Sequence, residues 1–342
     1  MPQQTLDFRS DTVTRPTPAM RKAMYEAEVG DDVFGDDPTV NRLQDKVADL
    51  LGKERALFVP SGTMANQIAV NCHTSPGDEI YCHIGSHVLN YEGGAMAMLS
   101  GVVSAAIGGG RGSFTTTDVE ARLRPADHHY APSRLIWIEN SHNRAGGTIF
   151  PQEHILGLRE LANRKGLAMH LDGARLWNVA IATGRSEKDL ATPFDSVSCC
   201  LSKGLGCPVG SLIVGSAEFI EKAHRARKRF GGGMRQAGIL AAAGFYALDN
   251  HRARLAEDHL HARRIAEAVA ELKSFRIDIE SVQTNIVLFD ASPRQGTDVV
   301  EKLKAEGLLV TNFGSWVRMV CHLDVDRTAV DQAISIIRKT FA

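Results

Sequence analysis

Cysteine is scarce in this chain, and its pattern gives no pairing. The six are Cys72, Cys82, Cys199, Cys200, Cys207 and Cys321, with no Cys-x-x-Cys pair and two adjacent in an apolar run. That excludes a disulfide framework and a zinc site, so no metal site is expected and the thiols read as buried and reduced. An excess of one charge is also missing. With 39 Lys and Arg against 40 Asp and Glu, the formal net charge is −1, which removes the footprint of a nucleic-acid binder. No uncharged apolar run approaches the ~18 residues that a membrane span needs. The amino terminus, MPQQTLDFRS, is polar and lacks an export core. The expectation is a soluble cytoplasmic protein without nucleic-acid or membrane partners. There is no internal repeat or low-complexity tract. No GxGxxG follows the first strand-like segment, which counts against a nicotinamide dinucleotide.

What remains is an ordinary globular composition, 44% hydrophobic and 23% charged, over 342 residues. That length suits about two domains. Short apolar runs at 56–60, 79–83, 102–107, 134–140, 167–172, 196–202 and 211–215 read as strands. Between many of them lie helical patterns, as at 38–52, 62–73 and 153–166. Near-continuous apolar strands alternating with helices predict an α/β fold with a mostly parallel seven-stranded sheet, covered on both faces. After about 246 the pattern becomes α+β, opening with a long charged helix over roughly 250–272, and reads as a smaller second domain.

Two strand ends carry the chemistry. SVSCCLSKGLG at 196–206 is an apolar run leading to Lys203, flanked by Ser202 and Gly204. A partly buried lysine amine there is a nucleophile able to form an imine. HLDGAR at 170–175 ends a strand on Asp172, at the sheet edge where open α/β folds bind ligands. A carboxylate there can hold a protonated ring nitrogen. A lysine and an acid in these roles are what pyridoxal phosphate requires. Upstream, Ser61-Gly62-Thr63 turns from a strand into a helix, a site for a cofactor phosphate, although Ser61 would equally serve as a helix cap. Asp172 also has an alternative as an N-cap, and Arg175 as its plain ion-pair partner. His87 would stack on a planar ring or simply make structural hydrogen bonds, and the same pair of readings covers His128 and His129. Arg235 and Arg318 stand in small or apolar settings that call for an anion or an internal ion pair.

The motifs DFRSDTVTRPT (7–17), VPSGTMAN (59–66), SHVLNYEGG (86–94), IENSHN (138–143), HLDGAR, CLSKGLG (200–206), GGGMRQAG (231–238) and RMVCHLDV (318–325) resemble those of the low-specificity L-threonine aldolases. These are pyridoxal-phosphate enzymes of the aspartate-aminotransferase fold, type I. The resemblance runs over essentially the whole chain. It implies three parts: an amino-terminal arm (1–16) packing with the small domain, a large cofactor domain (17–246) and a small carboxy-terminal domain (247–342). It implies that Lys203 is the Schiff-base lysine, Asp172 the partner of the pyridine nitrogen, and His87 the residue stacked over the ring. Ser61, Gly62, Thr63 and Ser202 fall in the cofactor site. Ser10, Arg175 and Arg318 match groups that hold the amino-acid carboxylate, and Arg175 also counts with the cofactor. His129 matches a second active-site histidine that handles the β-hydroxyl. Lys228 and Arg235 match basic residues that a neighbouring subunit brings near the phosphate, which implies a homotetramer with shared sites. Phe34 stands where many relatives have tyrosine, so no polar role is expected of it.

The implied reaction is reversible cleavage of L-threonine, L-allo-threonine and other β-hydroxy-α-amino acids to glycine and an aldehyde. The two arginines set which bond at Cα breaks, and a histidine removes the β-hydroxyl proton. Another lyase or transferase on the same fold, or a cofactor-binding protein without turnover, are the alternatives the motifs leave.

Overall fold

A computed structural model describes residues 5–341; the first four residues of the expected arm and Ala342 lie outside the described residues. The strands are β1 (Leu6–Asp7), β2 (Arg55–Val59), β3 (Glu79–His83), β4 (Val103–Ile107), β5 (Ser133–Glu139), β6 (Ala168–Gly173), β7 (Ser196–Cys200), β8 (Ser211–Gly215), β9 (Ile286–Asp290), β10 (Leu308–Leu309), β11 (Thr311–Phe313) and β12 (Trp316–Val320).

Seven of them form one sheet in the order β2-β8-β7-β6-β5-β3-β4. From β7 through β4 every pairing is parallel, whereas β8 is antiparallel to both β7 and β2. Loop length explains the exception. Only residues 201–210 join β7 to β8, whereas a parallel crossover needs about a dozen residues or more. The chain must turn straight back, and Lys203 sits in that return.

Both faces of the sheet are buried, which is why its strands read as continuous apolar runs. In β5, Ile136 and Ile138 join one large core cluster, while Leu135 and Trp137 join a second on the opposite face. The first face is covered by helices that include Pro38–Leu51, Gln152–Lys165 and Gly238–Asn250; the second by Gly62–His73 and Ala217–Arg229. The second face is interrupted by polar side chains near the carboxyl edge, Asp172 on β6 and Ser198 on β7, both buried.

The long helix expected over roughly 250–272 is Leu255–Ala270, which starts a few residues later than expected. Gly238–Asn250 ends, and Leu255–Ala270 begins after a turn. His251 lies in the turn, its backbone N–H bonded to the Ala247 carbonyl and its ring Nδ1 to the Leu205 carbonyl at 2.8 Å. This tertiary bond anchors the turn. Beyond it, β11-β12-β9 form an antiparallel sheet. A third core cluster there takes in Leu6 and Phe8 from the amino-terminal segment. β1 pairs in parallel with β10, and Phe8 accepts a backbone hydrogen bond from Val320 at 2.9 Å.

Candidate active site

The parallel strands deliver their last residues to one edge of the sheet. Glu139 closes β5, Asp172 is next to last in β6 and Cys200 closes β7. Together with the start of the helix Gly62–His73 they border a cavity of about 290 Å³. Ser10, Ser61, Gly62, Thr63, His87, Asp172, Arg175, Ser202, Lys203 and Arg318 all line it.

Lys203 follows β7 by three residues and is half-buried, its Nζ donating to Cys200 Sγ at 3.5 Å. Opposite, Ser61 caps the helix by accepting from the Met64 N–H at 3.1 Å. The cap and anion-site readings are therefore compatible. The cap takes the third amide and leaves those of Gly62 and Thr63 without intrahelical partners. Gly62 presses against β7, where a Cβ would come within 2.7 Å of Cys200 Sγ. Backbone lies close beside the lysine, with free N–H groups at the positive end of a helix.

Asp172 is buried. Its Oδ1 accepts from the Ala174 N–H at 3.1 Å and its Oδ2 from Asn66 Nδ2 at 2.9 Å. Burial, then the Glu139 charge, raise its pKa to about 6, against the opposing pull of Lys203 and His87. A carboxylate so destabilised favours a cationic partner such as a protonated ring nitrogen. His87 donates its backbone N–H to Glu139 Oε2 at 2.7 Å, and its Nδ1 lies 2.8 Å from Glu92 Oε1.

The arginines converge from different parts of the chain. Arg175 is 4% exposed and Asp11 fully buried. They pair through Nε–Oδ2 and Nη2–Oδ1 contacts, both 2.7 Å. Burial opposes ionisation of Asp11, but Arg175 outweighs it and holds the acid at about 2. Asn143 Oδ1 accepts from Arg175 Nη1 at 3.3 Å and from Arg318 Nη1 at 2.9 Å. Arg318 Nη2 donates to the Arg9 carbonyl at 3.0 Å, while its buried Nε has no partner. Burial, then the Arg175 charge, lower the Arg318 pKa to about 10. Two guanidiniums in one pocket with a spare buried donor make a site for a carboxylate. Ser10, whose hydroxyl accepts from Thr12, borders the same space. An amine nucleophile, a buried acid, an anion-binding helix start and a carboxylate cradle fit pyridoxal phosphate and an amino acid together.

Three expected residues are not brought to this cavity. His129 is the first. It lies on an exposed loop between the helix Thr116–Glu120 and β5, with Nδ1 2.6 Å from Asp127 Oδ1. The polar loop RPADHHY packs no apolar side chain that would draw it into the core, and it stays at the surface. Lys228 borders a separate basic pocket with His224, Arg225 and Arg229. Arg235 is exposed and pairs with Asp31 at 3.0 Å. Sequence reasoning passed over Asp11, Asn66, Glu92, Glu139 and Asn143. All are polar residues inside the recognised motifs, and that placement was the available signal.

Residues 7–292 match the family model described as beta-eliminating lyase. The chain is 44% identical over 323 residues to the low specificity L-threonine aldolase of Escherichia coli K12, covering 94% of this chain and 95% of that protein. It is 42% identical over 343 residues to low-specificity L-threonine aldolase 1 of Arabidopsis thaliana, covering 98% and 96%. Among solved structures, the threonine aldolase of Leishmania major superposes with a TM-score of 0.82 at 20% identity, covering 98% of this chain and 99% of that one. The serine palmitoyltransferase of Sphingomonas wittichii superposes at 0.77 with 19% identity, over 98% and 87%. At those identities the structural likeness speaks for the fold, and the sequence likeness for the family. The chain therefore belongs to the low-specificity L-threonine aldolase family, as a pyridoxal-phosphate-dependent carbon–carbon lyase of fold type I.

Proposed function

We propose that the enzyme cleaves L-threonine, L-allo-threonine and related β-hydroxy-α-amino acids, reversibly, to glycine and an aldehyde. The supporting observation is the meeting of Arg175 and Arg318 on Asn143 in the cavity that also holds Lys203, Asp172 and His87. Bound pyridoxal phosphate supplies an electron sink for the bond broken at Cα. Lys203 would hold the cofactor covalently through its amine. Asp172 keeps the ring nitrogen protonated. The amides of Gly62 and Thr63, with the Ser61 and Ser202 hydroxyls nearby, hold the phosphate. Arg318 and Arg175, with Ser10 beside them, bind the carboxylate and so orient Cα. His87 takes the β-hydroxyl proton, a role suited to an imidazole near neutral pH. His129, exposed on its own chain, is the second histidine of this reading and would meet the β-hydroxyl only in a neighbouring chain's cavity.

The same reading has Lys228 and Arg235 serve a neighbouring chain's phosphate, in a dimer of dimers. The arm, large domain and small domain keep the bounds 1–16, 17–246 and 247–342. A fully active monomer by light scattering would contradict the shared site. For the chemistry, Lys203→Ala should abolish turnover and the visible absorbance of the lysine-bound cofactor. Full activity in that variant would refute the assignment.

A further inference from the structure

His87 has two ring nitrogens in unlike surroundings. Nδ1 lies 2.8 Å from Glu92 Oε1, and the Glu92 side chain is fully buried. The His87 side chain is one-third exposed and borders the cavity. Among the described residues, no hydrogen-bond partner meets its Nε2. A carboxylate only accepts, so the proton between the two groups belongs to Nδ1. Neutral imidazole then carries its lone pair on Nε2.

Glu92 is itself held. Oε1 also accepts from Asn66 Nδ2 at 2.7 Å, and Oε2 accepts from Gln67 Nε2 at 2.6 Å. Asn66 donates its other amide proton to Asp172 and accepts from Ser198 Oγ at 2.8 Å. Both amides come from the helix Gly62–His73, and both side chains are buried. One buried network therefore joins His87, Glu92, Asn66 and Asp172.

From this geometry we propose that Glu92 is a positioning residue, which fixes the His87 proton on Nδ1 and turns a bare Nε2 to the cavity as the base. This rests on the reading of His87 as the base given above. A histidine whose second nitrogen is held by a carboxylate gains basicity and a fixed orientation. Glu92 is one of several charges at His87. Glu139 and Asp172 add to its pull from β5 and β6, and Tyr91 stands beside the ring at 5.6 Å. Burial opposes the charged ring, but the hydrogen bond to Glu92 and these charges outweigh it and raise the pKa.

Glu92→Gln isolates the charge. The buried Oε1 of Gln67 has no partner. A flip of the Gln67 amide would let that oxygen accept from the amide N–H introduced at position 92. The carbonyl oxygen of the substituted side chain stays available to Asn66 and His87. The network survives without its negative charge.

The experiment uses holoenzyme with ring-15N-labelled histidine, the His87 signal being the one absent from His87→Asn. In the wild type, neutral His87 should show the Nδ1–H tautomer. In Glu92→Gln it should keep that tautomer and titrate lower by ~1 pH unit or more, the low end for a lost neighbouring charge. The acidic limb of kcat/KM for threonine should move down with it. A wild-type Nε2–H tautomer, or an unmoved titration in Glu92→Gln, overturns the proposal. If His87→Asn keeps wild-type kcat/KM, His87 is not the base; the tautomer and titration still decide what Glu92 does.

Discussion

Replacing Asp11 with asparagine should cost this enzyme more than any other single charge removal at the site. The side chain is completely buried and makes two 2.7 Å contacts with Arg175, itself 4% exposed, and Asn285 Nδ2 donates to it at 3.2 Å. Asparagine keeps the shape but turns an amide N–H toward the guanidinium and leaves its charge uncompensated. Breaking a buried pair by removing one partner costs about 3–5 kcal/mol. The pH dependence is specific. The folded pKa of Asp11, about 2, lies below its ordinary value of 3.8. Ionised Asp11 therefore stabilises the fold fully above pH ~4, and that contribution disappears as pH falls toward ~2. At ~1.4 kcal/mol per pH unit the loss is on the order of 2 kcal/mol. The assay is urea unfolding of wild type and Asp11→Asn at fixed protein concentration, at pH 7 and in steps below pH 4. The variant should be weaker at pH 7, and the gap should narrow on acidification. A variant within ~1 kcal/mol of wild type at pH 7, or a gap that stays constant on acidification, would refute the reasoning.

Gly62→Ala would set a methyl 2.7 Å from Cys200 Sγ. The overpacking costs roughly 1–3 kcal/mol and should weaken cofactor binding by an equilibrium titration. Adding Cys200→Ala should restore much of the loss, and a double variant as weak as the single one would contradict the steric account. Arg318→Lys keeps the charge but loses the planar fork that engages Asn143 and the Arg9 carbonyl. It should lower kcat/KM for threonine by about 10- to 10²-fold, the value of a hydrogen bond to a charged group. An unchanged kcat/KM would exclude Arg318 from the carboxylate site.

Lys203 and Asp172 were legible because each is a charged residue in a run otherwise fit for a buried parallel strand, and such runs end at the ligand edge. The reversed β8 was legible in principle from the shortness of residues 201–210. Asp11 and Asn143 were not, since their partners arrive from far along the chain. Asp11 meets Arg175 across 164 positions, and Asn143 meets Arg318 across 175. Nothing in local spacing announces such pairs. His129 is the opposite case. The resemblance gives it a site role, but its polar loop leaves it at the surface of its own chain. The long helix begins at Leu255 rather than near 250 because residues 251–254 form a turn anchored by a tertiary bond from His251 to Leu205, which helical periodicity does not show.

The most direct measurement is the product distribution from L-threonine with purified holoenzyme and no added folate. Cα–Cβ cleavage predicts glycine and acetaldehyde in equal amounts, lost together in Lys203→Ala. Formation of 2-oxobutanoate and ammonia instead would mean that the cavity directs elimination, and would contradict the account of how the arginines and His87 choose the bond.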